Sequence, residues 1–248
     1  MACAVGSLLS RIRALVWDWS GTGGARESLE SLAQRVEVAA DGLETAHTRQ
    51  QRTTRRRRRD LADLRSPEWS VRAEAARALA GASEPEALDA LVHALGDPSV
   101  EVAVSAAAAV GAIGGPKARD ALLAVLQGGD PRYCSATRAA ALGALDALLP
   151  PEETEPLRSA TRDFDADVSV AAIGVVAERG GDFAAGELLG IVEDETGFFM
   201  PTTRLAAALG LSRLESLDAA LVERAWSREQ DPAVYDALAR LLARLRGS

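Results

Sequence analysis

The sequence predicts an all-α fold, a right-handed α-solenoid of about five to six two-helix repeats, preceded by an amphipathic helix and a long helix. Three observations carry this. From Ser66 the chain restarts about every 33 residues, at Ser66-Pro67, Asp97-Pro98, Asp130-Pro131, Asp165-Ala166, a degenerate start near Thr196-Gly197, and Asp231-Pro232; such a period marks a stacked array. Apolar residues make up 48% of the 248 but aromatics only 4%, and alanine fills most apolar positions, which suits thin, closely packed helices. Three of the six restarts pair a carboxylate with a proline, so that the carboxylate caps exposed N–H groups and proline takes the first helical position.

The pattern divides the chain into residues 1–24, 25–65 and 66–248. In the first segment Leu8, Leu9, Ile12, Leu15, Val16 and Trp19, with Val5, form one apolar helical stripe suited to docking. Ser20-Gly-Thr-Gly-Gly24 then breaks the helix as a hinge; it has no lysine and follows a helix, so it is no phosphate cradle. In the second segment Leu29, Leu32, Val36, Ala39, Leu43 and Ala46 step by three and four, a short heptad seam. The seam fits either a self-associating coiled coil or packing on the first repeat. It dissolves into a basic patch, Arg49, Arg52, Arg55, Arg56, Arg57, Arg58 and Arg59, whose mutual repulsion predicts a solvated helix end or a loop.

Within the array the predicted first helices are 67–80, 98–113, 131–148, 166–179 and 198–214, with a closing helix at 232–246. The predicted second helices are 84–95, 116–127, 151–161, 183–192 and 216–226.

Ser70-Val-Arg-Ala-Glu-Ala-Ala-Arg-Ala-Leu-Ala80 is echoed by Thr137-Arg-Ala-Ala-Ala-Leu-Gly-Ala-Leu145 and Thr203-Arg-Leu-Ala-Ala-Ala-Leu-Gly-Leu211. These runs resemble HEAT repeats, and most closely the short HEAT-like repeats of phycobilisome lyases, over residues 66–246. Arg72, Arg138 and Arg204 occupy the family's arginine position, 66 residues apart, and are expected to link neighbouring helices. The resemblance also implies a concave side lined by second helices. It leaves activity open, because HEAT-like arrays include scaffolds, transport receptors, bilin-handling subunits, a metal-dependent hydroxylase and DNA-repair glycosylases.

Composition narrows that range. The hydroxylase relatives need repeated His-Glu metal motifs, and His47 and His93, the two histidines, have neither that partner nor that spacing, so no metal is expected. Asp163-Phe-Asp-Ala-Asp167 begins like a calcium loop, but Val168 and Gly174 stand where the turn glycine and closing glutamate belong; an acidic helix cap is the better account. Cys3 and Cys134 give no disulfide framework, and Cys134 reads as a small buried hydrophobe inside a helix. Residues 1–59 carry 11 basic and 6 acidic groups, whereas residues 60–248 carry 17 and 30, a net −13 that argues against nucleic acid on the array.

Aligned on their leucines, the second helices place Asp89, Asp120, Glu155 and Asp218 at one position, with His93 nearby, predicting an acidic strip that selects a basic protein partner. The expected function is a non-enzymatic protein–protein interaction scaffold or adaptor, cytoplasmic and without a cofactor, its N-terminal helices tethering it or self-associating through residues 5–46. Two alternatives stay open: a bilin-lyase-like enzyme subunit, and an adaptor held at a membrane surface by its first helix and arginines.

Overall fold

The computed structural model describes residues 51–127 and 130–247, together with Ser31, Gln34, Arg35, Val38, Gly42, Thr48 and Gln50. It falls into two compact units, Met1–Arg59 and Asp60–Ser248. Every described residue of the first unit is helical. The arginine run is helix rather than loop, with Arg52, Arg55, Arg56, Arg58 and Arg59 exposed and Arg57 half-buried. Adjacent residues on a helix point about 100° apart, so most of these like charges do not face one another. The stripe of Val5, Leu8, Leu9, Ile12, Leu15, Val16 and Trp19 lies outside the described residues. So do the glycine hinge, the seam of Leu29, Leu32, Val36, Ala39, Leu43 and Ala46, His47 and Arg49.

In the second unit residues 60–63 are helical and eleven helices follow. Repeat 1 is α1 (Trp69–Ala78) and α2 (Pro85–Ala94), and repeat 2 is α3 (Val100–Ile113) and α4 (Gly115–Leu126). Repeat 3 is α5 (Ser135–Asp146) and α6 (Glu155–Thr161), and repeat 4 is α7 (Ala166–Arg179) and α8 (Gly181–Val192). Repeat 5 is α9 (Pro201–Leu211) and α10 (Ala219–Arg228), and α11 (Pro232–Gly247) closes the stack. Among the described residues there is no strand. The first helices α1, α3, α5, α7 and α9, then α11, pack side by side in chain order, and each second helix packs on the first helix of the next repeat. The second unit is thus an α-solenoid.

The two rows of helices are built differently. First helices are enclosed on several sides: α3 buries Val102, Ala103, Ser105, Ala106, Ala107, Ala109 and Val110. Second helices bury one stripe, as with Ala118, Leu122 and Val125 on α4, and turn a polar face outward. Close approach of the first helices comes from a line of small residues 33 apart: Ala78, Gly111, Ala144, Ala177 and Gly210. A Cβ on Gly111 would stand 2.7 Å from Ala144 Cβ, so α3 and α5 meet closer than two side chains allow. Leucines such as Leu79, Leu91, Leu122, Leu145 and Leu188 fill the interior and are fully buried, each contributing about 1.5–3 kcal/mol.

Helix starts differ from the sequence expectation for one physical reason. In repeats 1, 2, 3 and 5 the first helix begins two to four residues later than expected, because the residues around the restart form a turn ahead of the helix. Asp97 shows how: its carboxylate accepts from the Ser99 amide at 2.8 Å, and Ser99 is the N-cap. The α6 helix is shortened to seven residues because Pro150 and Pro151 open a turn, closed by the Glu153 amide on the Pro150 carbonyl.

The true period of the stack is two repeats. Val102, Ala106, Val110, Ala118 and Leu122 of repeat 2 correspond at 66 residues to Val168, Ala172, Val176, Ala184 and Leu188 of repeat 4, all fully buried. Gly114-Gly115 and Gly180-Gly181 join the helices of those two repeats with φ between 69° and 84°, a conformation that leaves glycine as the natural choice.

Candidate interaction surface

The six turns that enter the first helices form one edge of the stack, and side chains link each turn to the next. Arg72 of α1 holds Asp97 with two bonds, Nε at 2.7 Å and Nη2 at 2.8 Å, and donates from Nη1 to the carbonyls of Ser66 and Pro67. Gly96 lies against the side chain of Arg132. Arg138 of α5 bonds Asp163 and lies 3.8 Å from Asp165. Arg162 sits 5.8 Å from the Phe199 ring centre. Arg204 of α9 grips both oxygens of Glu229 at 3.0 and 2.8 Å. Sequence reasoning expected these three arginines to link neighbouring helices, but not their partners, which stand 25 residues on in each case.

Each partner carboxylate does a second task. Asp97 accepts from the Ser99 amide, Asp163 from that of Asp165, and Glu229 from that of Asp231, so one group both fixes the turn and receives the arginine. Burial pushes the Asp97 carboxyl up, but the bonds from Arg72 and the Ser99 amide outweigh it and hold the group below its ordinary value. Asp165 in turn caps α7 through the Asp167 amide, so the Asp163–Asp167 run is a latch and a cap. Glu187, with only 2% of its side chain exposed, is matched by Arg162, Arg158 and the Thr161 hydroxyl.

Along this edge stands a row of apolar side chains that sequence reasoning missed. Trp69, Val100, Phe164, Phe198 and Met200 are exposed, and Tyr133 is half-buried among them. Phe164 is 84% exposed and lies 4.4 Å from the Arg138 guanidinium, which stacks on its ring. The signal was present in the sequence, since Trp69, Val100, Tyr133, Phe164 and Phe198 recur 31 to 34 residues apart just at the restarts. Beside the last stations an open cleft of about 790 Å³ is lined by Asp194, Glu195, Phe199, Arg204, Arg228 and Glu229, among others.

The residues singled out on second helices fall as follows. Asp89 and His93 are exposed on α2, Asp120 is exposed on α4, and Asp89 pairs with Lys117 across the two helices. Glu155 is the first residue of α6, 3.8 Å from Arg158. Asp218 precedes α10 as its N-cap and accepts from the Ala220 amide. All four carboxylates are exposed, but they stand at different heights on their helices. Cys134 corrects the sequence reading: it is exposed, not buried, and it is the N-cap of α5 rather than a residue inside it. Its partial burial pushes the thiol up, while the Thr137 hydroxyl and nearby amides outweigh this and bring it below its usual value.

Among the described residues no group of three or more His, Cys, Asp or Glu is placed to hold a metal ion. No helix among them is long and apolar enough to cross a membrane.

A family model described as HEAT repeats matches residues 60–145, which take in α1 to α4 and all of α5 but its last residue. Among solved structures, one titled as an engineered protein is 22% identical, covering 76% of this chain and 96% of its own, with a TM-score of 0.41. No curated protein matches the chain. HEAT repeats generally mediate protein–protein interaction.

Proposed function

Because this chain is a HEAT-like repeat protein, we propose that it works as a non-enzymatic scaffold or adaptor that holds a protein partner on the surface of its array. The observation that carries this reading is the consumption of buried charge by the fold itself. Arg138, Glu187 and Glu229, the most enclosed ionisable groups, are engaged in links between or within repeats, which makes the stack rigid. A rigid stack presents its outer side chains at fixed intervals, and such preorganisation favours binding.

The partner is basic, because residues 60–248 carry 30 acidic against 17 basic groups. On the second helices Asp89, Asp120, Glu155 and Asp218, with His93 beside them, receive it; residues 5–46 tether the array or pair it with a second copy. Affinity capture with the full chain, read by mass spectrometry, tests the function. The expected result is a stoichiometric basic protein that elutes as salt rises; retention of no protein near stoichiometry sinks the reading.

A further inference from the structure

We infer that the edge formed by the inter-repeat turns is a second docking surface, and that its occupant is a basic amphipathic helix of a partner protein with apolar side chains about seven residues apart. The inference rests on the scaffold reading and adds the surface and the partner's chemistry to it.

Continuity comes first. The links from Arg72 to Asp97, Gly96 to Arg132, Arg138 to Asp163, Arg162 to Phe199 and Arg204 to Glu229 tie six successive turns into one line. A partner therefore meets one surface and not six separate loops. Side-chain exposure comes second. Trp69 is 51% exposed, Phe164 84%, Phe198 61% and Met200 62%. Single exposed apolar residues are ordinary, but a row repeating with the architecture is what a docking surface requires.

Charge selects the occupant. Glu68 adjoins Trp69, Glu101 adjoins Val100, and Asp163 and Asp165 flank Phe164 with Asp167 two residues further on. Glu68, Glu101 and Asp167 are exposed. Of the arginines on this side, Arg72 and Arg138 keep only 14% and 4% of their side chains exposed, and the more exposed Arg132 and Arg162 are paired with Asp130 and Glu187. A visiting segment therefore meets apolar stations rimmed by negative charge.

Spacing selects its form. Neighbouring packed helices stand about 8–10 Å apart, which is about five to seven residues of α-helix at about 1.5 Å each. Seven residues return a helical side chain to nearly the same face. An extended strand covers that distance in about three residues, which swaps the face at every station. A helix with one apolar residue per heptad and lysine or arginine on its flanks matches both the pitch and the charge, and the cleft lined by Phe199 and Arg204 receives its end.

The test uses the full chain and a labelled synthetic helix of about four heptads, with leucine at one position per heptad and lysine on its flanks, read by fluorescence anisotropy. Two control peptides break the seven-residue step or replace lysine by glutamate. Wild-type protein is expected to bind the first peptide at least about tenfold more tightly than either control. The variant Trp69→Ser/Phe164→Ser/Phe198→Ser loses about tenfold or more. A charge-reversed variant, Glu68→Lys/Glu101→Lys/Asp167→Lys, keeps the apolar row but exchanges preference for the glutamate peptide, which a misfolded protein would not do. Asp89→Asn/Asp120→Asn/Glu155→Gln/Asp218→Asn keeps the roughly tenfold preference for the first peptide over both controls, because that preference belongs to the edge. Equal binding of the in-step and out-of-step peptides overturns the inference. So does loss of binding in the second-helix variant with the edge variants intact, an outcome that leaves the scaffold reading standing. Failure of affinity capture removes the scaffold reading itself.

Discussion

Repeats 1, 3 and 5 are joined to their successors by a different chemistry from repeats 2 and 4. In the odd repeats an arginine of the first helix reaches a carboxylate 25 residues on, and the pair is largely enclosed: 4% and 9% exposure for Arg138 and Asp163, 18% and 1% for Arg204 and Glu229. In the even repeats Ser105 and Ala171 hold the corresponding position. The waiting carboxylates then turn to local partners: Asp130 to Arg132, and Asp194 to Thr196 and the amide of Phe199. Close helix contact takes over at these junctions, most visibly where Gly111 meets Ala144. Between first helices the array thus alternates an enclosed, directional polar joint with a steric one, while more exposed pairs such as Arg119–Glu153 and Arg224–Glu193 cross the even junctions between other elements. A polar joint fixes orientation and is costly to leave half-made, whereas a steric joint fixes distance and is intolerant of added volume.

The largest expected effect separates the two joints. Replacing Arg138 by methionine leaves Asp163 enclosed without its cation, and a loss of about 3–5 kcal/mol is expected in urea unfolding. At an even junction, Asp130→Asn leaves the unfolding midpoint nearly unchanged, because that carboxylate serves only its own turn. Equal sensitivity at both positions would abolish the distinction. Next comes Gly111→Ala. Alanine gains up to about 1 kcal/mol of helix propensity over glycine, but its Cβ falls 2.7 Å from that of Ala144, and overpacking of this kind costs about 1–3 kcal/mol. Net destabilisation by thermal melting supports the steric joint; net stabilisation breaks it.

How far the sequence foretold this varies with the residue. The stack and the identity of its helices followed from restarts and alanine-rich runs, because both are local and repeat. Arg72, Arg138 and Arg204 stood out by their 66-residue interval. Their partners did not, because Asp97 looks like any Asp-Pro helix start and Glu229 has no proline beside it. The helix start at Val100 was misjudged for a related reason. A carboxylate drawn toward an arginine of the preceding repeat caps a turn rather than the helix itself. Cys134 was read as buried because the predicted helix began at Pro131; once the helix starts at Ser135, the thiol stands outside it. The exposed row at Trp69, Phe164 and Phe198 was visible as a spacing, but apolar residues near a helix start are by default assigned to the core.

Acid sharpens the comparison further. Asp97 has its folded value held below the ordinary carboxylate range. The stability it contributes is therefore complete above about pH 4, the unfolded value, and is lost as pH falls through the lower folded value. Asp97→Asn lowers stability at neutral pH and flattens the acid limb of a stability profile below about pH 4. An unchanged acid limb would show that the Arg72 joint contributes nothing there. The smallest effect belongs to the outer row, where the Lys117–Asp89 pair is 63% and 58% exposed. Asp89→Asn changes stability by about 0–1 kcal/mol, screened by salt, so any larger loss would make the second helices a third kind of joint.

The 66-residue recurrence has an evolutionary consequence. Gene duplication or deletion in steps of 66 codons keeps every donor facing its acceptor, so a chain of this kind lengthens or shortens as whole cassettes. A step of 33 would set two donors, or two blank positions, next to each other and break the alternation of joints. Descendants of this array should therefore differ in length by even numbers of repeats, and engineered versions should be spliced the same way.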